Sequence, residues 1–131
     1  MKELYQDYSQ DVEFVLVYVR EAHAIDSRSP MARLLVEDPV TTDERQIIAN
    51  NCVSKLNLPM RAVLDRIDDK TGVAYSAWPD RLFLVGQDGK IAYAGGRGPF
   101  GFKPDELEDA IIEEMNRVWE ASKKSKKAKG R

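Results

Sequence analysis

The stretch "EFVLVYV" at 13–19 constrains this chain most. It is unbroken and rich in β-branched residues, the pattern of a strand covered on both faces. It then turns abruptly polar in "REAHAID", which holds Glu21, His23 and Asp26, and His23 is the chain's single histidine. Open α/β sheets place ligands at the carboxyl ends of their strands. The polar turn is therefore the first candidate for a reaction site, with a solvated loop as the plain alternative.

The remaining elements follow from local signals. "KELYQDYSQ" has Leu4, Tyr5 and Tyr8 at the spacing of one helical face. Residues 20–42 show no sustained period and read as a long loop, with one helical turn at "MARLL" (31–35). In "TTDERQIIANNCVSKLNL" Thr41 or Thr42 caps a helix. Asp43 and Glu44 favour its first turn, and Ile47, Ile48, Cys52, Val53 and Leu56 form its apolar stripe. "MRAVLDR" (60–66) reads as a short strand, and "RLFLV" and "KIAYAGG" flank "GQDG" as a β-hairpin. "KPDELEDAIIEEMNRVWEASKK" closes as an amphipathic helix with Pro104 near its first position and Leu107, Ile111, Met115, Val118 and Trp119 inward. Helices alternating with buried strands, then a hairpin and a terminal helix, give an α/β sandwich.

Composition narrows the function classes. At 131 residues, 43% hydrophobic and 32% charged, the chain is sized for one globular domain. No apolar run nears the roughly 20 residues that span a bilayer, and "MKELYQDYSQD" lacks a signal-peptide core, so a cytoplasmic setting without membrane partners is expected. One cysteine forbids an internal disulfide or a CxxC pair. The net charge of −2 hides an asymmetry: "KKSKKAKGR" (123–131) carries six basic residues and no acid, leaving 14 basic against 22 acidic residues before it. A domain over 1–122 with a basic, disordered, solubilising tail is expected, and the acidic body argues against nucleic acid as partner.

"FVLVYVREAHAID", "VLDRIDDKTGVAYSAWPDRLFLV" and "KIAYAGGRGPFGFKPDELEDAI" together resemble the iodothyronine deiodinases and their bacterial deiodinase-like relatives, over about residues 4–120. The resemblance implies a thioredoxin-like α/β/α sandwich with a mixed sheet. It also implies a strand and a nucleophilic cysteine or selenocysteine ahead of the first helix, and this sequence starts within that helix. The first core strand is thus expected to be missing. Either 13–19 pairs directly with 81–86 or a second copy fills the gap, self-association being the expectation.

Removing iodine reductively from an aromatic ring takes a polarisable nucleophile, a proton donor to the ring carbon and a group that holds the phenol. Histidine suits the proton transfer because its ordinary pKa is about 6.5. By resemblance Glu21 and His23 match the family's "EAH" pair, as catalytic candidates, with Glu21 placed to fix the imidazole tautomer or accept a proton. Arg97 of "GGRGP" matches a family arginine proposed to hold the phenolic end, which a guanidinium suits. Asp26, Tyr75 and Trp78 complete the substrate-binding candidates, core packing being the equal alternative for the two aromatics. Asp26 with Glu21 and His23 has metal-ligand residue types but not the expected geometry, so neither metal nor cofactor is expected. The glycines of "GGRGPFG" read as turn formers, because a dinucleotide loop needs a strand-to-helix context. Cys52 reads as a buried structural thiol.

Pro79 stands just before a strand, where thioredoxin-like folds commonly keep a cis-proline, so a cis Trp78–Pro79 bond is expected. The deiodinases often lack that proline, which leans toward the wider redoxin group. The leading reading is a deiodinase-like oxidoreductase, acting on a small, possibly halogenated aromatic substrate with a thiol reductant, and inactive as this stretch alone. A thiol peroxidase of the same fold and a non-catalytic interaction module are the alternatives.

Overall fold

In the computed structural model, residues 1–31 and 35–129 are described. The "MARLL" turn falls largely outside them. The backbone is mixed α/β and forms two compact units, Met1–Asp80 and Arg81–Arg131.

The first unit opens with α1 (Lys2–Tyr8), which buries Leu4. The Tyr5 and Phe14 rings then meet edge to face, centroids 5.7 Å apart. β1 (Val15–Tyr18) runs parallel to β2 (Arg61–Leu64) in the register Val15↔Arg61 to Tyr18↔Leu64. Parallel neighbours need a long crossover. Here it contains α2 (Thr42–Leu56), which packs on β2. α2 begins in a capping box: Thr41 Oγ1 accepts the Glu44 N–H at 3.2 Å, and Glu44 Oε2 accepts the Thr41 N–H at 3.3 Å. It ends where Asn57 takes the left-handed conformation at φ 47°. A short helix, α3 (Lys70–Ala74), follows β2.

Two expectations are corrected here. β1 is not covered on both faces: Val15 and Val17 are 43% and 39% exposed, while Leu16 and Tyr18 are half-buried. The reason is topological, since β2 is the one strand bonded to β1 among the described residues. The inward stripe of α2 is also rotated. Arg45 and Ala49 are buried and Ile48, Cys52 and Val53 half-buried, whereas Ile47 and Leu56 face solvent.

The second unit is a hairpin on a helix. β3 (Phe83–Val85) pairs antiparallel with β4 (Ile91–Ala94), with an irregularity between Leu84 and Val85. The turn closes through Gly86 N–H to Lys90 O at 2.8 Å, with Gly89 at φ +76°. α4 (Pro104–Lys129) packs on both strands and buries Leu107 and Ile111. Trp119, expected inward, is 54% exposed, although neighbouring Val118 is half-buried. The boundary placed at 122 on charge alone falls inside α4, which runs to Lys129. No helix among the described residues is long and apolar enough to cross a membrane.

Candidate functional site

The loop after β1 is organised by one carboxylate. Glu21 Oε2 accepts the Tyr18 hydroxyl at 2.5 Å, and Oε1 accepts the backbone N–H groups of Ala22 at 3.0 Å and His23 at 3.3 Å. Ala24, in the same turn, has no exposed surface, and its carbonyl accepts the Ser27 N–H at 3.0 Å. His23 Nδ1 lies 3.0 Å from the Ser29 carbonyl oxygen. A carbonyl only accepts, so Nδ1 carries the proton and the neutral ring keeps its lone pair on Nε2. Glu21 thus reaches His23 through the backbone and not the ring. The tautomer expected from Glu21 is set instead by Ser29.

Asp26 braces the same loop. Its Oδ1 accepts the Asp38 N–H at 2.9 Å, and the Asp38 carboxylate pairs with Arg20 at 3.0 Å. The exposed side chains of Tyr75 and Trp78 lie just beyond α3, and the Trp78–Pro79 bond is cis. Arg97, in the second unit, sits on the loop after β4. Its guanidinium is exposed and makes no ion pair or hydrogen bond among the described residues. In that loop Gly101 donates its N–H to Arg97 O at 2.9 Å, and Gly98–Pro99 is cis.

Electrostatics disfavour the thiol. Burial pushes the half-buried Cys52 thiol up, and the nearby Glu21 charge pushes it further, against a smaller pull from Lys55. Reactive thiols need the opposite surroundings. Burial and the bond to Glu21 likewise hold the Tyr18 phenol far above its ordinary value. Among the described residues no group of three His, Cys, Asp or Glu side chains is arranged to hold a metal ion. Two shallow, open hollows, of about 370 and 390 Å³, are lined by residues of the α1–β1 junction with Arg61 and of the Gln87–Asp88 turn with α4. Neither includes Glu21 or His23.

Sequence reasoning missed Tyr18, Ser29, Arg45 and Asp65. Arg45, 1% exposed, donates through Nη1 to the carbonyls of Asp65 and Arg66 and to the Asp69 carboxylate, fixing the chain after β2. Its spacing from Ala49 and Cys52, four and seven residues, was a usable signal. Asp65 is also buried; it accepts the Thr71 and Gly72 N–H groups, while its own N–H meets Tyr18 O at 2.9 Å.

A mixed α/β chain in which a parallel strand runs into a carboxylate-held turn brings Glu21 and His23 together at the carboxyl end of β1. Comparison with known proteins supplies the lineage. Residues 1–116 match the family described as iodothyronine deiodinase, and the chain belongs to that family. It is 33% identical over 113 residues to the type II iodothyronine deiodinase of Homo sapiens, covering 81% of this chain and 41% of that protein. Against the type I iodothyronine deiodinase of Xenopus laevis it is 30% identical over 104 residues, 79% and 40% of the two chains. Against the thyroxine 5-deiodinase of Ovis aries it is 30% identical over 105 residues, 76% and 34%. The match spans about two fifths or less of the length of these relatives.

Proposed function

We propose that these residues form the proton-handling and ring-binding part of a deiodinase-type oxidoreductase on a thioredoxin-like α/β/α framework. The parallel β1–β2 pair with its helical crossover, and the hairpin followed by α4, support that framework. In the reaction, a thiolate or selenolate takes the iodine from the ring carbon, breaking C–I and forming a chalcogen–iodine bond. A proton then completes the new C–H bond. A second thiol displaces iodide, leaving the chalcogen and that thiol joined and oxidised. His23 Nε2 relays the proton, Glu21 holds the turn, and Arg97 binds the phenolate or carboxylate end of the substrate.

The observation that carries this reading is the Nδ1 contact of His23 with Ser29 O, which leaves Nε2 as the basic nitrogen. Cys52 is the wrong nucleophile, so the reading takes the cysteine or selenocysteine from outside these residues and a thiol as reductant in a cytoplasmic setting. The test is thiol-dependent iodide release from an iodinated phenol, by these 131 residues and by any longer product of the same reading frame. The short chain is expected to be inert. In an active longer product, His23→Ala should cut the rate roughly 100-fold or more. Deiodination by the short chain that Cys52→Ser abolishes overturns the assignment, and peroxide turnover without iodide release points to a peroxidase.

A second copy of the chain is part of the same proposal. β1 has one edge unbonded among the described residues, and Val15 and Val17 expose an apolar face. A local two-fold pairs a residue with its own copy, so antiparallel pairing centred on Leu16 or Val17 keeps both valines on one face in each protomer. Light scattering should give a dimer that Val17→Lys dissociates. A monomer at all concentrations removes this element.

A further inference from the structure

We infer that the last third of α4 is a docking surface for an anionic lipid membrane, lying on it without crossing it. Residues 119–128 are all exposed and helical, and residues 121–128 hold no acid but four lysines, Lys123, Lys124, Lys126 and Lys127. Ile112, Trp119, Lys123 and Lys126 follow one another at spacings of seven, four and three, so they share one flank of the helix. On that flank Ile112 and Trp119 are 44% and 54% exposed, and the Lys123 ammonium sits 3.3 Å from the centre of the indole ring. A tail that merely keeps the protein soluble has no need of an aromatic and an aliphatic side chain aligned with its charges.

The partner follows from the chemistry. Lysines crowded at spacings of three and four repel one another along a helix, and an anionic surface relieves that repulsion. Lysine clusters on an amphipathic helix suit anionic headgroups, and an indole beside them suits the headgroup boundary. Nucleic acid fits less well: it offers no apolar layer for the exposed Ile112 and Trp119 that share the flank with the lysines. Arg117, the nearest arginine among the described residues, is held by Glu114 at 2.6 Å and faces Asp88 at 3.8 Å. The surface belongs to α4 alone and stands apart from the deiodinase reading.

The test uses the full chain with Trp78→Phe, so that fluorescence reports Trp119. Cosedimentation with phosphatidylcholine vesicles holding roughly 30% phosphatidylserine is compared with pure phosphatidylcholine and with an RNA homopolymer. Binding is expected to the anionic vesicles only, with a blue shift of Trp119 emission and at least about tenfold weakening in high salt. Lys123→Glu, Lys126→Glu and Lys127→Glu together should weaken it roughly 100-fold. Trp119→Ala, which keeps every charge, should weaken it several-fold, and circular dichroism verifies that each variant is folded. Equal binding to both vesicle types, no binding, tighter binding to the RNA, or retention in the triple variant each overturns the inference.

Discussion

Arg45 Nη1 lies 2.7 Å from Asp69 Oδ1 and 2.7 Å from the carbonyl oxygen of Arg66, with the guanidinium all but sealed from solvent. One side chain thereby joins α2 to the segment that leads from β2 into α3. Removing one partner of a buried ion pair strands the other and typically costs about 3–5 kcal/mol. Asp69 is partly exposed and can rehydrate, so the lower end applies. Arg45→Ala should lower the unfolding free energy by about 3 kcal/mol in urea titration. Arg45→Met, which refills the space, should cost less. A loss below about 1 kcal/mol for Arg45→Ala would make the network incidental.

The acid limb of stability should report Asp65. Burial presses its carboxyl upward, but the N–H groups of Gly72 at 2.7 Å and Thr71 at 3.2 Å outweigh that and hold it below its ordinary value. The folded state therefore binds this proton less readily than the unfolded one. Its contribution is complete above the ordinary aspartate pKa of about 3.9, and is lost as pH falls from there through the folded value. Asp65→Asn should be less stable at neutral pH and show a shallower loss below about pH 4. Urea midpoints across that range decide it, and parallel curves for the two proteins would refute the assignment.

Local chemistry made much of this fold legible before any coordinates. Thr41 or Thr42 ahead of Asp43 and Glu44 announces a helix start, "GQDG" announces a hairpin, and Pro104 near the first position announces the last helix. What stayed hidden depends on partners distant in the chain. Arg45 looks like a surface charge until the carbonyls of Asp65 and Arg66 stand over it. "VLVY" looks doubly covered because its composition says nothing of how many strands flank it. In the candidate site, the cluster of Glu21 and His23 was visible as residue types. The group that sets the imidazole is a backbone oxygen, which has no sequence signature.

That oxygen yields a direct spectroscopic expectation. Nitrogen-15 spectra of the neutral His23 ring should show Nδ1 protonated and Nε2 bare. Free histidine prefers the reverse tautomer, so a protonated Nε2 would place the Ser29 contact elsewhere and remove the basic nitrogen from the proposed relay. Glu21→Gln keeps an acceptor for the turn's N–H groups and should leave the ring tautomer unchanged.

The Arg97 loop offers a comparison between two glycines. A Cβ on Gly101 would stand 2.3 Å from Gly96 C and 2.6 Å from Arg97 O, both backbone atoms that no rotamer change can move. At Gly89 a Cβ meets nothing within 4 Å, and only the φ of +76° resists it. Left-handed backbone costs a non-glycine residue about 1–2 kcal/mol. Overpacking against fixed backbone costs about as much or more, and it also breaks the 2.9 Å bond from Gly101 N–H to Arg97 O. Gly101→Ala should therefore lower the melting temperature more than Gly89→Ala. In a product that turns over iodinated phenols it should also raise KM with little change in kcat, because a loosened loop no longer presents Arg97 in one position. Equal melting temperatures would mean that the loop opens at little cost and does not preorganise the guanidinium.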